Sequence, residues 1–106
     1  MRLIPRHGTK TVTTAGTQEQ LTTLGVDVPM VIIQAPATNT LRLYVGDSTV
    51  SSTNCLASLS AGSSVELSAA RFGSADAGIR LSDIWVDVGT SGDKASFGWM
   101  ERASED

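Results

Sequence analysis

The chain has 106 residues, a formal net charge of −3 and 41% hydrophobic residues, which is the size of one domain with a single modest core. The acidic balance argues against a nucleic-acid partner, because such a protein needs a clustered basic face to neutralise phosphates. The longest apolar run, 28–35, is far shorter than the roughly 20 residues of a membrane-spanning helix, so we expect no membrane partner.

The first predicted segment is a basic arm over residues 1–8, because Pro5 and Gly8 interrupt regular strand pairing. No apolar signal-peptide core follows its arginines, so we expect synthesis in a cytoplasm. A β-branched run at 9–15 then predicts the first strand. The body of the domain is expected to span residues 9–100, and residues 101–106 form an acidic tail.

The middle of the chain contains three further predicted strands. Residues 30–35 are almost continuously apolar, which is typical of a strand covered on both faces. Residues 41–45 and 65–69 alternate between apolar and polar side chains, which indicates strands with one buried face. Cys55, between them, is the single cysteine, so no intrachain disulfide forms, and we expect it to be buried or half-buried.

The last two predicted strands are expected to form a hairpin. Residues 84–88 alternate, so that Trp85 and Asp87 lie opposite an apolar face of Ile and Val. Residues 89–93 have the length and the glycines of a hairpin loop. Residues 94–100 return with Ala, Phe and Trp on one face. With about seven or eight short strands, the chain is predicted to be an all-β, antiparallel β-sandwich resembling a jelly roll.

The sequence offers little for catalysis or for a cofactor. His7 is the only histidine and lies in the predicted arm, so a catalytic triad or a zinc site has no foundation. Asp83, Asp87 and Asp93 leave a calcium site open as an alternative to simple turn formers. Glu66 and Asp87 are a conceivable acid pair, but nothing in the sequence brings them together. We therefore expect no catalytic residue, no metal and no cofactor.

The aromatic side chains indicate binding instead. If the apolar residues of 84–88 face the core, Trp85 points away from it, and an exposed indole is typical of a contact surface. Together with Tyr44 and Trp99 it could serve as a platform for sugars or as anchors for a protein.

Several strand and turn patterns resemble the small structural proteins of tailed bacteriophages. They extend from Gly8 to Met100 and comprise Gly8–Val12, Ala15–Thr17 with Leu21, Val31–Ala35, Asn39–Thr40, Leu43–Gly46, Leu59–Ser63, and Leu81–Val86 with Gly92–Asp93. The resemblance carries no site residues, since such proteins bind by surface shape.

The resemblance implies a virion protein on the capsid surface, a decoration (cement) protein bound to the major capsid protein or another virion protein. It also implies a homo-oligomer, with a trimer favoured. A tail, baseplate or head–tail connector component and a carbohydrate-binding module stay open, and an enzyme is the weakest alternative. The residues expected at the interface are Arg2, Arg6, His7, Tyr44, Trp85 and Trp99.

Overall fold

The computed structural model describes residues 2–69 and 78–102. The described part of the chain is all-β and contains ten strands: β1 (Leu3–Thr11), β2 (Glu19–Gln20), β3 (Asp27–Val28), β4 (Met30–Gln34), β5 (Leu43–Gly46), β6 (Ala57–Leu59), β7 (Ser64–Ser68), β8 (Ile79–Arg80), β9 (Trp85–Val88) and β10 (Lys94–Arg102). A 3-10 turn, Leu81–Asp83, precedes β9.

Eight of these strands form two antiparallel sheets. Sheet A has the order β1-β10-β4-β7, and sheet B has the order β2-β9-β5-β6. The two remaining strands, β3 and β8, pair only with each other. Strands pair from the two ends of the chain inward, as in one long hairpin that is folded over. The pairs are β1 with β10, β2 with β9, β3 with β8, β4 with β7, and β5 with β6. This order is consistent with the predicted jelly-roll connectivity, which stays a prediction.

The core lies between the inner faces of sheets A and B. Alternation with period two sends every second side chain of a strand inward, and both sheets contribute branched aliphatic residues to one cluster. Its largest fully buried side chains are those of Val12, Leu21, Val28, Val31, Ile33, Leu43, Val45, Leu81, Val86 and Val88. The predicted inward faces of 84–88 and 94–100 are confirmed, and so are Leu43 and Val45 in 41–45, but Leu41 precedes the strand and is 54% exposed, so its predicted burial is wrong. The sequence prediction of a sandwich with an aliphatic core agrees with this packing.

The predicted C-terminal hairpin is wrong in its pairing. Strands β9 and β10 are where the sequence places them, but β9 pairs with β2 and β5 in sheet B, whereas β10 pairs with β1 and β4 in sheet A. The loop 89–93 therefore crosses from one sheet to the other. Asp93 stabilises the crossover, because its carboxylate accepts hydrogen bonds from the backbone N–H groups of Thr40 at 3.0 Å and Leu41 at 3.1 Å.

The predicted N-terminal arm is also wrong, because residues 3–8 belong to β1. This strand pairs with β10 without interruption from Leu3, opposite Arg102, to Thr11, opposite Lys94. Pro5 is tolerated because β1 is an edge strand of sheet A, where a missing N–H is least costly. Gly8 makes room for a core ring, since a Cβ at this position would lie 3.0 Å from Cζ of Phe97.

Candidate interaction surface

The basic residues expected at an interface lie along the edge of sheet A. Arg2, Arg6 and His7 are all exposed. Arg6 nevertheless has a partner, since its guanidinium lies 3.4 Å from the Glu101 carboxylate on the neighbouring strand. Lys10, further along β1, forms a closer ion pair of 2.9 Å with Glu19 of sheet B. Part of the N-terminal positive charge is therefore balanced within the chain.

The Glu19 carboxylate connects the two sheets. Besides Lys10, it accepts a 2.8 Å hydrogen bond from the backbone N–H of Thr13. The Lys10 ammonium and then this N–H hold the pKa of Glu19 below its ordinary value. The folded structure thus favours the ionised form of Glu19, and the Lys10 ammonium is engaged in the ion pair with it.

Tyr44 and Trp85 lie together on the outer face of sheet B. Tyr44 is directly opposite Asp87 in the β5–β9 pair, and Trp85 is opposite Gly46. Both aromatic residues are half-buried. The loop 47–55 folds toward this face and buries Val50, which lies close to Gly46. Their outward direction agrees with the sequence pattern, while their role in binding stays a prediction.

Trp99 lies in a different place from the other two aromatic residues. It points inward from sheet A, is only 8% exposed, and stacks on Phe97 with ring centroids 5.6 Å apart. The structure therefore does not bring Trp99 onto one platform with Tyr44 and Trp85. Its indole Nε1 is buried without a hydrogen-bond partner among the described residues.

Two of the three aspartates that suggested calcium, Asp87 and Asp93, fix loops through hydrogen bonds to backbone N–H groups. Asp87 is 3% exposed, and its Oδ1 accepts hydrogen bonds from the backbone N–H groups of Gly16 at 2.9 Å and Val88 at 2.8 Å. Asp47 accepts from the N–H and hydroxyl of Thr49, which lower its pKa. In residues 2–69 and 78–102, no group of three potential ligands is arranged to hold a metal ion.

Asn39 fixes the crossover from β4 of sheet A to β5 of sheet B. Its side-chain oxygen accepts from the backbone N–H of Lys94 at 2.9 Å, and its Nδ2 donates to the Lys94 carbonyl at 2.8 Å. The amide thereby acts like one more residue of a β-bridge. Sequence reasoning recognised Asn39 only as a turn former.

The outer face of sheet A is an open, partly apolar surface that the sequence analysis did not predict. Ile32 at its centre is 42% exposed, although its neighbours Val31 and Ile33 are completely buried. The apolar run 30–35 predicts coverage of both faces, and this prediction is wrong for the single chain, where only the inner face is covered. The apolar run 30–35 was the sequence feature that could have indicated this open face.

Cys55 also differs from the expectation, because it is exposed and free. It lies in the loop that follows β5, beside Leu56, which is 60% exposed. Both point away from the core because β6 begins only at Ala57.

A scan against protein-family models found no matching family, and searches of curated proteins and of solved structures found no matching protein. Among the described residues, no helix has the length and apolar character to span a membrane.

Proposed function

We propose that the protein is a non-enzymatic structural component of a bacteriophage virion, a decoration protein that binds the capsid shell through protein–protein contacts. The proposal starts from the strand and turn patterns that resemble phage structural proteins. The all-β architecture supports it, since a rigid sandwich presents broad surfaces rather than a deep cleft.

The observation that carries the proposal is that the buried polar side chains hold loops in place while several large apolar side chains are exposed. The buried polar groups Asn39, Asp87 and Asp93 all make hydrogen bonds to backbone groups that hold crossovers and loops in place. Large apolar side chains, in contrast, are left on the surface. Those more than a third exposed are Leu3, Leu24, Val26, Ile32, Leu41 and Leu56. Buried polar groups that hold the loops rigid, together with apolar side chains at the surface, favour a protein that acts through surface contacts with other proteins.

The edge of sheet A is the proposed contact with the shell. Leu3 is 50% exposed there, and Arg2 and Arg6 are exposed along the same edge. An edge that exposes an apolar side chain together with arginines fits the composition of protein interfaces. Since residues 3–8 are a paired strand, this contact needs no ordering of a flexible arm on binding, which lowers its entropic cost.

Counting the protein in purified particles tests the proposal. Quantitative mass spectrometry of virions from the source lysate gives the ratio of this chain to the major shell protein. A ratio near parity, or a simple fraction of it, is expected for a lattice decoration protein. A handful of copies would instead indicate a tail, baseplate or connector component, and complete absence from the particles would contradict a virion role.

A charge-reversal variant tests the proposed contact. The double variant Arg2→Glu, Arg6→Glu is expected to lower the occupancy of particles that lack the protein and are then incubated with it. Arg42→Glu is the control, with half the change in net charge, because Arg42 is an exposed arginine next to β5 whose side chain donates, among the described residues, to Ser58. Equal occupancy for the two variants would place the contact elsewhere.

A further inference from the structure

Four residues form a row across the centre of the outer face of sheet A. His7 lies opposite Gly98, Gly98 opposite Ile32, and Ile32 opposite Glu66. The row therefore has a projecting aliphatic side chain next to a position without any side chain. A histidine and a carboxylate stand at its two ends.

The rows on either side differ in polarity. One consists of hydroxyl and amide side chains, namely Thr9, Ser96, Gln34 and Ser64. The other is mostly apolar and contains Pro5, Met100 and Met30. Two depressions of about 360 and 170 Å³ follow these rows, and both are bordered by Gly98 and Ile32. The face is thus a shallow groove, polar on one side and apolar on the other. At its centre the Ile32 side chain forms a knob, and the position of Gly98, without a side chain, forms a hole.

We propose that this face binds a second copy of the same chain, sheet against sheet, about a two-fold axis parallel to the strands. Such an axis places β10 over β4 and β1 over β7 of the other copy. Ile32 of one copy then inserts above Gly98 of the other, twice by symmetry, as expected for an isologous interface. The inference does not rest on the proposed virion function.

The side chains at the ends and flanks of the rows are complementary under the same operation. His7 of one copy faces Glu66 of the other, and an imidazole N–H can donate to a carboxylate, which accepts more than one donor. Gln34 meets Ser96, so an amide faces a hydroxyl, and methionines meet methionines. Sheets that pack face to face keep their strands within about 30° of each other, so the rows stay matched near the axis.

The alternative axis, perpendicular to the strands, is unfavourable. It would place Ile32 against Ile32 and leave the space above each Gly98 unfilled, with Glu66 against Glu66. The apolar run 30–35 also fits a second copy, because a strand with apolar residues on consecutive positions is typical of one covered on both faces.

The small size of the face sets the expected affinity. Four strands at about 4.8 Å and five residues at about 3.3 Å give a footprint of roughly 300 Å² per copy. Stable interfaces bury about 800 Å² per partner, so we expect a weak dimer, and not a trimer.

Analytical ultracentrifugation from about 10 μM to about 1 mM tests the dimer. The chain should change from monomer to dimer across this range. Ile32→Thr, which keeps a β-branched residue, should raise the dissociation constant at least about tenfold, because the contact occurs twice. Leu24→Thr is the control, since Leu24 is 45% exposed and lies off this face, and it should change the constant less than about twofold.

A charge exchange tests the orientation and does not depend on Ile32. His7→Glu should weaken the dimer, and the addition of Glu66→Lys should restore it. In a Cys55→Ser background, a mixture of His7→Cys and Glu66→Cys chains treated with a short bismaleimide should yield mixed dimers in preference to self-pairs. A chain that stays monomeric or forms trimers, equal effects of Ile32→Thr and Leu24→Thr, or mainly His7–His7 cross-links would each overturn the proposal.

Discussion

Replacement of Asn39 is expected to loosen the crossover between the two sheets. Asn39 is 8% exposed, and its amide makes two hydrogen bonds with the backbone of Lys94. Each net hydrogen bond contributes about 0.5–1.5 kcal/mol, so Asn39→Ala should lower the free energy of unfolding by about 1–3 kcal/mol. For a domain of this size, that corresponds to roughly 5–15 °C in Tm.

Asn39→Asp separates the role of the donor from that of the acceptor. The aspartate still accepts from the Lys94 N–H, but its second oxygen faces the Lys94 carbonyl where the amide N–H was, at 2.8 Å. We expect a loss at neutral pH at least as large as that of Asn39→Ala. Protonation restores a donor, so the loss should shrink as the pH falls toward about 4.

Urea denaturation followed by tryptophan fluorescence measures both variants, since Trp85 is half-buried and Trp99 is buried. Asn54→Ala is the matched control, because Asn54 is exposed and its Nδ2 also makes two hydrogen bonds, both to Thr49. Its loss should stay below about 0.5 kcal/mol. Equal losses for Asn39→Ala and Asn54→Ala, or an Asn39→Asp variant as stable as the parent chain, would refute the proposed role of the amide.

Three further predictions concern other contacts between and within the sheets. Asp87→Ala should cost about 1.5–3 kcal/mol in urea unfolding, since two backbone N–H groups lose a buried charged acceptor, while Asp47→Ala at an exposed loop should cost less than about 0.5 kcal/mol. The folded-state pKa of Glu19 is lowered, so its contribution is complete above the ordinary value of about 4.3 and is lost as the pH falls through the folded value. Glu19→Gln should therefore flatten the loss of stability in this acid range, and an unchanged pH profile would contradict the linkage. Gly8→Val should lower Tm because its side chain would displace the Phe97 ring; an unchanged Tm would mean that β1 does not pack over that ring.

Much of the strand pattern was predictable because alternation is a local property. The inward direction of Val86, Val88, Phe97 and Trp99 follows from their spacing alone, and each of them is buried. The same spacing made Trp99 a poor candidate for a surface anchor, since it placed the indole on the apolar face of its strand.

The pairing of the strands was not predictable in the same way. A five-residue loop with glycines, such as 89–93, can close a hairpin or cross between sheets, and the choice depends on which strands are already neighbours. Strands β5 and β9, for example, are neighbours in sheet B although they are distant in the chain. Pro5 predicts a break in strand pairing because the sequence alone does not show that β1 is an edge strand.

The outer face of sheet A could not be predicted as a binding surface for a related reason. The continuous apolar run 30–35 predicts two covered faces, but it does not say whether the cover comes from the same chain. Only the row that joins His7, Gly98, Ile32 and Glu66 across four strands shows a knob, a hole and two complementary ends.

The sequence by itself determined the all-β class, the position of most strands and, for the alternating strands, the side that faces the core, because a period of two is set within a few residues. The tertiary structure alone decided which strands pair, that residues 3–8 belong to an edge strand, and that the outer face of sheet A stays open with Ile32 exposed. These features depend on contacts between residues distant in the chain, whose free energy is gained only once both partners are in place.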